Sequence, residues 1–370
     1  MDKYLSTILK VTLTLFFFIM SFFVLIVGKN FLYPLALAML LTYLLTPAVN
    51  FFEKKMKFPR LLAIFLTIII GLALITGIGK IILIQVKVFI TDFPEIKDQA
   101  LTNINSLQIF IADTFGYSIE IQKDWVQLQL SDFLETSNAF FKNVLKSMTG
   151  TLGRMIFIPI FMFFMLFYRD RGREFFLKAS KNNTKFTEEL LDEVSKVTVK
   201  YMLGVLTVVA ILAVSHSVAL SIIGVKYAIF LGIMAATISV IPYFGTIAST
   251  VIPLSFSLIL ADNPYEPMWI VIYFLFINFI ENNILTPKIT GGNVHLNPLV
   301  TILGLILGAT IWGIPGMIIV IPVLGVIKVI CDNVPKLEPY GYILGIDNRP
   351  GRFNELREKI AKKKKKEQNN

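Results

Sequence analysis

Long apolar runs separated by short polar stretches dominate the chain. A membrane-spanning helix needs about 20 consecutive, mostly apolar residues, and several runs reach that length. The pattern predicts spans at 12–28, 31–49, 61–84, 155–168, 201–223 and 268–286. Ten-residue segments of alternating polarity, typical of membrane β-barrels, do not stand out in the sequence. The chain is therefore predicted to be an all-α polytopic membrane protein with about six to eight transmembrane helices.

Two further apolar segments, 228–260 and 298–330, have 33 residues each. One straight helix of that length would measure about 50 Å, whereas the hydrocarbon core is about 30 Å thick. Proline and glycine interrupt both segments, in Ile-Pro-Tyr-Phe-Gly at 241–245 and Gly-Ile-Pro-Gly at 313–316. We expect two broken helical hairpins, which either re-enter the membrane or span it.

Broken helices expose backbone groups that can bind ions or polar solutes inside a membrane. The alternative for such residues is a purely architectural role. The candidate binding residues at the two breaks are Pro242, Tyr243, Gly245, Gly313 and Pro315.

Charge fixes the expected orientation and the division of the chain. Only 16% of residues are charged, the net charge is +10, and the cations cluster beside alternate spans and in the tail. The positive-inside rule then predicts cytoplasmic N- and C-termini. The basic tail is expected to lie near anionic membrane lipid rather than to bind nucleic acid. The expected regions are a three-span region (1–86), a polar, extracytoplasmic helical insert (87–153), a transport core (154–335) with a cytoplasmic amphipathic segment (170–200), and a basic cytoplasmic tail (336–370).

Glu281 is the one carboxylate inside the long apolar segments, in the predicted span 268–286. Asn278 and Asn282 fall with it in an arc of about 100° on that helix. A charge at membrane depth costs several kcal/mol, so such a stripe faces protein or a water path. Glu281 either binds a proton or monovalent cation there, or packs as a hydrogen-bonded structural carboxylate. His216, in span 201–223, is by the same argument a packing residue or a proton relay.

The sequence lacks the residues that several kinds of metal site and enzyme active site require. One cysteine and two histidines exclude cysteine-based and histidine-rich metal sites. The sequence contains neither the phosphate-binding G-x-x-x-x-G-K-[ST] motif nor a serine-hydrolase or metalloprotease motif in its apolar segments. We therefore predict no enzyme activity, no catalytic residues, no cofactor and no bound metal.

Several short motifs in order carry a family resemblance. They are Ile-Pro-Tyr-Phe-Gly at 241–245, Glu-Asn-Asn-Ile-Leu-Thr-Pro-Lys at 281–288, Val-His-Leu-Asn-Pro-Leu-Val at 294–300, the glycines from 308 to 316, and Val-Ile-Pro at 320–322. In these the chain resembles the autoinducer-2 exporter-like family of bacterial membrane proteins, also called PerM-like permeases. The family-typical positions are Pro242, Gly245, Glu281, Pro287, Pro298, Gly308, Gly313 and Pro322. Asn297 stands where the family often has histidine.

The resemblance implies a polytopic transporter of the bacterial plasma membrane. Members are associated with export of autoinducer-2, and some with exchange of sodium or lithium for protons. We therefore expect a gradient-driven secondary transporter that exports a small solute or exchanges Na⁺ or Li⁺ for H⁺, with Glu281 as the coupling carboxylate. A non-transporting envelope or sporulation scaffold acting through 87–153 is the alternative. A homo-oligomer is compatible with either function.

Overall fold

The computed structural model describes residues 2–115, 156–180, 183–261, 263–290 and 296–346, with single helical positions at 132, 135, 136, 139 and 142. Its helices are α1 (Asp2–Val27), α2 (Lys29–Asn50), α3 (Arg60–Thr91), α4 (Phe93–Phe115), α5 (Phe157–Phe167), α6 (Arg169–Ala179), α7 (Thr184–Ile223), α8 (Ala228–Ile238), α9 (Phe244–Leu260), α10 (Glu266–Ile280), α11 (Thr286–Thr290), α12 (Pro298–Trp312), α13 (Ile314–Asn333) and α14 (Glu338–Leu344). Two π-helical segments, Phe51–Lys55 and Glu281–Leu285, follow α2 and α10. No strand occurs in the described ranges, so the predicted all-α fold is confirmed.

Six helical stretches among the described residues are long and apolar enough to cross a membrane. They are Ile8–Val27, Lys29–Lys55, Arg60–Thr91, Thr184–Ile223, Glu266–Ile289 and Ile314–Asn333. The protein is therefore a multi-pass membrane protein. The predicted span 155–168 corresponds to α5, whose 11 residues rise only about 16 Å.

Helix α7 differs from the sequence-based expectation. An amphipathic segment ending near residue 200 was expected to lie beside a separate span, but α7 continues through both for 40 residues. No proline interrupts it, and the single Gly204 within it is tolerated by a helix. At about 1.5 Å per residue it measures about 60 Å, so part of α7 extends beyond a 30 Å hydrocarbon layer.

Packing divides the chain into two compact units, each built from separate stretches. The first unit contains 1–69, 154–204 and 290–370, and the second contains 70–153 and 205–289. The four regions predicted from polarity describe the order of membrane and polar segments along the chain, not packing. These two units therefore do not test them, and the four regions stay a prediction.

The first unit has a core where α2, α3 and α5 meet, around Ala38, Ile64 and Leu166. Charged side chains close one end of this core, since Arg169 pairs with Glu53 and Arg60 pairs with Asp170. Arginine–carboxylate pairs at the end of apolar helices keep the cations out of the hydrocarbon layer.

The apolar segment 298–330 forms two helices, α12 and α13, with Gly313 between them. Gly313 has φ +66° and ψ −142°, a backbone conformation that glycine adopts without strain. The two helices touch through backbone, because a Cβ on Gly308 would lie 2.6 Å from the carbonyl oxygen of Gly316. Asn297 caps α12: its Oδ1 accepts a hydrogen bond from the Leu299 N–H at 2.9 Å. The predicted break is therefore present, and Asn297 has a structural role there.

The second unit has its core among α3, α4, α7, α8, α9 and α10. Phe89, Leu212, Leu231, Ile270 and Phe274 are the central buried side chains. The apolar segment 228–260 is broken into α8 and α9, which pack against each other. At 11 and 17 residues, both are shorter than a span, as expected for a hairpin. Whether either hairpin re-enters the membrane stays a prediction.

Candidate functional site

Helices α9 and α10 form an antiparallel pair in the second unit. They are joined by a short turn, and two side-chain hydrogen bonds connect them. Ser257 Oγ donates to Glu266 Oε1 at 2.7 Å near the turn, and Asn278 Nδ2 donates to Thr250 Oγ1 at 3.3 Å farther along. One helical turn beyond Asn278, at the end of the pair where α9 begins, lies Glu281.

Glu281 is the first residue of the π-helical segment Glu281–Leu285 and is only 9% exposed. The local sequence explains the wide turn. Pro287 has no N–H to donate to the carbonyl of Asn283, and its ring crowds that carbonyl. Single π-turns inside α-helices are rare and frequent at functional sites. None of the ion pairs among the described residues includes Glu281.

Asn282 and Asn283, beside Glu281, donate side-chain hydrogen bonds to carbonyls of their own helix. Asn282 Nδ2 donates to the carbonyl of Asn278 at 2.9 Å, and Asn283 Nδ2 donates to the carbonyl of Phe279 at 2.8 Å. Both side chains are exposed, whereas Asn278 is half-buried. Each of these bonds reaches back four residues along the same helix and leaves the amide oxygen as an acceptor.

The break between α8 and α9 is a tight turn centred on Tyr243. Its φ is +64° and its ψ is −58°, and the Phe244 N–H donates to the Pro242 carbonyl at 2.7 Å. This is a three-residue γ-turn with positive φ, a rare and strained conformation for a residue with a side chain. The Tyr243 ring is 51% exposed. Strain of this kind concentrates at functional sites, which supports the choice of Tyr243 as a candidate.

Gly245 follows the turn and is buried. A Cβ at this position would overlap the carbonyl oxygen of Ile238 and lie 2.7 Å from the Cα of Ser239. Only glycine therefore lets α9 begin so close to the end of α8. Gly245 is an architectural residue of the break, and its backbone N–H is used by the Ile241 carbonyl at 2.7 Å.

His216 lies on α7 and is 1% exposed. Its Nδ1 shares a hydrogen bond of 2.9 Å with the hydroxyl of Tyr273, which also bonds Ser215 Oγ at 2.9 Å. The ring stacks on Phe274 with 4.9 Å between the centroids. The Nε2 atom is buried without a hydrogen-bond partner in the described structure. Because a satisfied packing histidine would use both nitrogens, this arrangement leaves one nitrogen open for a proton or water.

The predicted site residues do not all belong to one unit. Glu281, Asn278, Asn282, Pro242, Tyr243, Gly245 and His216 are in the second unit, and Gly313 and Pro315 are in the first. In the second unit, the antiparallel pairing brings Glu281, Asn278 and the 241–245 break to the same end of α9 and α10. Their use as a binding site stays a prediction.

Sequence analysis missed four polar residues that the structure places in the interior. Glu266 and Ser257 are 6% and 1% exposed, and Tyr273 and Thr250 make the hydrogen bonds described above. Glu266 lies in Asp-Asn-Pro-Tyr-Glu-Pro at 262–267, between the apolar segment 228–260 and the predicted span 268–286, so the sequence pattern predicts a loop residue there. The Glu-Pro pair at the start of an apolar run was an available signal, since proline and acidic residues favour the first turn of a helix.

The described part of the polar insert packs on the same unit. Asn103 Nδ2 on α4 donates to the carbonyls of Ile259 and Ala261 at 2.9 and 3.3 Å, and so caps the end of α9. Tyr227, in the turn between α7 and α8, donates its hydroxyl to Asp92 Oδ2 at 2.8 Å. Burial and this bond raise the pKa of the Tyr227 phenol above its usual value. Residues 116–131 and 143–155 lie outside the described structure.

Apolar helices long enough to span, broken helical hairpins and a buried carboxylate at a helix interruption define the class of polytopic helical membrane transporters. Comparison with known proteins identifies the family. Residues 15–336 match the model of the AI-2E family transporters, so this chain belongs to that family.

Three curated relatives are between 22% and 26% identical to this chain. It is 25% identical to "Putative transport protein YueF" of Bacillus subtilis (strain 168), over 86% of this chain and 88% of the relative. It is 26% identical to "Putative transport protein YrrI" of the same organism, over 82% and 86%. It is 22% identical to "AI-2 transport protein TqsA" of Escherichia coli (strain K12), over 81% and 85%. The resemblance drawn from the motifs is therefore confirmed.

Proposed function

We propose that this protein is a gradient-driven secondary transporter of the bacterial plasma membrane, with both termini in the cytoplasm. In this proposal Glu281 is the coupling carboxylate, and it binds a proton or a monovalent cation during each cycle. No cofactor takes part, and the protein is not an enzyme.

The observation that carries the proposal is the setting of Glu281. Its carboxylate is buried at a π-turn in a membrane-spanning stretch, and no cation within 4.0 Å pairs with it among the described residues. An ionised carboxylate in such a place costs several kcal/mol, so binding a proton or cation is strongly favourable. A group that changes charge by binding an ion can couple that ion to the movement of a second solute.

Two solute classes are compatible with this site. In the first, Na⁺ or Li⁺ exchanges for H⁺ at the Glu281 carboxylate, and Asn278 Oδ1 and backbone carbonyls of the 241–245 break supply further oxygens. In the second, a small polar organic solute is exported, and autoinducer-2 is a candidate because one relative is named for it. Proton movement driven by Na⁺ or Li⁺ in vesicles without organic solute would favour the first class.

The test compares exchange flux in proteoliposomes for the wild type, Glu281→Gln and Glu174→Gln. Glutamine keeps the size and hydrogen-bonding capacity of glutamate and removes the ionisable group. Glu174 is a matched control, because it is exposed on α6 and paired only with Lys178 one turn away. We expect Glu281→Gln to lose coupled flux and Glu174→Gln to keep it. Wild-type flux from Glu281→Gln at every pH would refute the coupling role.

The scaffold alternative makes the insert 87–153 the functional part. The contacts of α4 support its participation in the transport core instead, because Asn103 caps the end of α9. Replacing residues 116–153 by a short linker, which leaves Phe89 and Asn103 in place, separates the two functions. Intact flux with a lost cellular phenotype would favour the scaffold.

A further inference from the structure

The second unit contains another buried carboxylate, at the opposite end of α10 from Glu281. Glu266 is the first residue of α10 and is 6% exposed. Its Oε1 accepts a hydrogen bond of 2.7 Å from Ser257, which is itself 1% exposed. A helix N-terminus favours a negative charge, but a carboxylate at the surface would gain that benefit without the cost of burial. The helix dipole alone therefore does not explain why Glu266 is buried, and its burial points to a functional role.

Three ionisable side chains lie in a row along α10. At 100° per residue, Glu266, Tyr273 and Glu281 fall within an arc of about 80°, and the axial steps between them are about 10 and 12 Å. The interval between the carboxylates is occupied by the Tyr273 hydroxyl with its partners Ser215 and His216. The row therefore alternates carboxylates with a hydroxyl–imidazole pair inside one unit.

The His216 imidazole independently supports a role for this row of side chains in moving protons. His216 Nε2 is buried without a hydrogen-bond partner among the described residues, and an unsatisfied buried polar atom destabilises a fold. In the tautomer protonated at Nδ1, Nδ1 donates to the Tyr273 hydroxyl and the unpartnered Nε2 can accept a proton. Water between the groups can bridge steps of this length, since buried water bonds to otherwise unsatisfied polar atoms.

Resting on the proposed function, we propose that Glu266 is a second proton-binding carboxylate. The row Glu266, Tyr273 with His216, and Glu281 then conducts protons along α10. Each carboxylate takes up one proton to become a neutral acid and releases one proton to water or to the next group. Charge and atoms balance with no other reactant.

The surroundings of Glu266 contain few other titratable groups. Helices α8 and α9 carry none, and the described half of α7 in this unit contributes only His216. The turn before α8 contributes Lys226 and Tyr227, and Asp262 lies outside the described residues. Helix α4, which packs on α9, carries Glu95, Lys97, Asp98 and Asp113. Helix α3, which packs on the same core, carries Lys80 and Lys87, and Asp92 follows it.

The first experiment measures proton flux against pH in proteoliposomes of the full chain. We expect Glu266→Gln to lower proton flux at least ten-fold, and Glu266→Asp to keep part of it. Ser257→Ala removes a hydrogen bond to the charged carboxylate, so the midpoint of the pH profile should move to higher pH. His216→Phe keeps the stacking on Phe274 without the ring nitrogens and should also lower the flux. A Glu266 with only a structural role would leave the pH midpoint of Ser257→Ala unchanged.

A second readout does not depend on flux. Infrared spectroscopy of the purified protein detects the carbonyl band of a protonated, buried carboxylic acid as the pH is lowered. Glu266→Gln should remove one such band that Glu174→Gln retains. If no band depends on Glu266, or if Glu266→Gln keeps wild-type flux while Glu281→Gln loses it, the second site is refuted and the proposed function stands. Absence of flux from the wild type would refute the proposed function itself.

Discussion

Tyr243 occupies a backbone conformation that suits glycine, and this gives a test of the γ-turn between α8 and α9. Its φ of +64° places the Cβ against neighbouring backbone, at a cost of about 1–3 kcal/mol. Tyr243→Ala and Tyr243→Gly both remove the half-exposed ring. Only Tyr243→Gly also removes the strain.

The expected magnitude follows from two opposing terms. Relief of strain stabilises the glycine variant by about 1–3 kcal/mol. The greater freedom of glycine in the unfolded chain destabilises it by about 0.5–1 kcal/mol. Tyr243→Gly should therefore have a free energy of unfolding about 0–2.5 kcal/mol above that of Tyr243→Ala. At most positions the alanine variant is more stable than the glycine variant, so the expected order of stability at residue 243 is reversed.

Tyr265 is the matched control. It is also an exposed tyrosine directly before a helix, but its φ is −88°. There the glycine variant should be less stable than the alanine variant by about 0.5–1 kcal/mol. The assay is equilibrium unfolding in sodium dodecyl sulfate, followed by circular dichroism. If glycine is less stable than alanine at both positions by the same amount, the strain at Tyr243 is absent.

Three further predictions use the same unfolding assay. Gly308→Ala should destabilise the protein by about 1–3 kcal/mol, because its Cβ would lie 2.6 Å from the backbone of α13. Gly77→Ala, in α3 with no atom within 4 Å of the added Cβ, should be neutral or stabilising; equal losses at both glycines would contradict the close crossing. Asn297→Ala should cost about 1 kcal/mol by removing the cap of α12, while Asn297→Ser should recover most of it. Because the folded state raises the pKa of Tyr227, its neutral phenol contributes stability that is complete below about pH 10 and is lost as the pH rises further. Tyr227→Phe should remove that alkaline loss, and an unchanged profile would count against the bond to Asp92.

The features predicted well from sequence are those set by local chemistry. Apolar length located five of the six candidate spans, and proline with glycine located both helix breaks, near Tyr243 and at Gly313. Hydropathy also singled out Glu281, because a carboxylate within an apolar run is conspicuous. Each of these signals lies within a few residues of the feature that it predicts.

The features that sequence missed depend on contacts between distant segments. The sequence pattern predicts a loop at Glu266, because nothing near it in sequence shows that Ser257 and the surrounding helices bury it. The continuity of α7 past residue 200 was missed because a change from amphipathic to apolar periodicity does not require a break. Asn297 was noted only as a departure from a family pattern, whereas its hydrogen bond to the Leu299 N–H gives it a capping role.

The three helix interruptions differ in the free energy that they hold, and this difference indicates which of them moves. Gly313 has a positive φ without strain, and no residue of the π-turn Glu281–Leu285 has a positive φ. Only the turn at Tyr243 holds about 1–3 kcal/mol of backbone strain, which a rotation to negative φ would release. We therefore expect the angle between α8 and α9 to change when an ion gradient is imposed, while α12 and α13 keep theirs. Spin labels on each helix pair would measure this, and a distance change confined to α12 and α13 would contradict it.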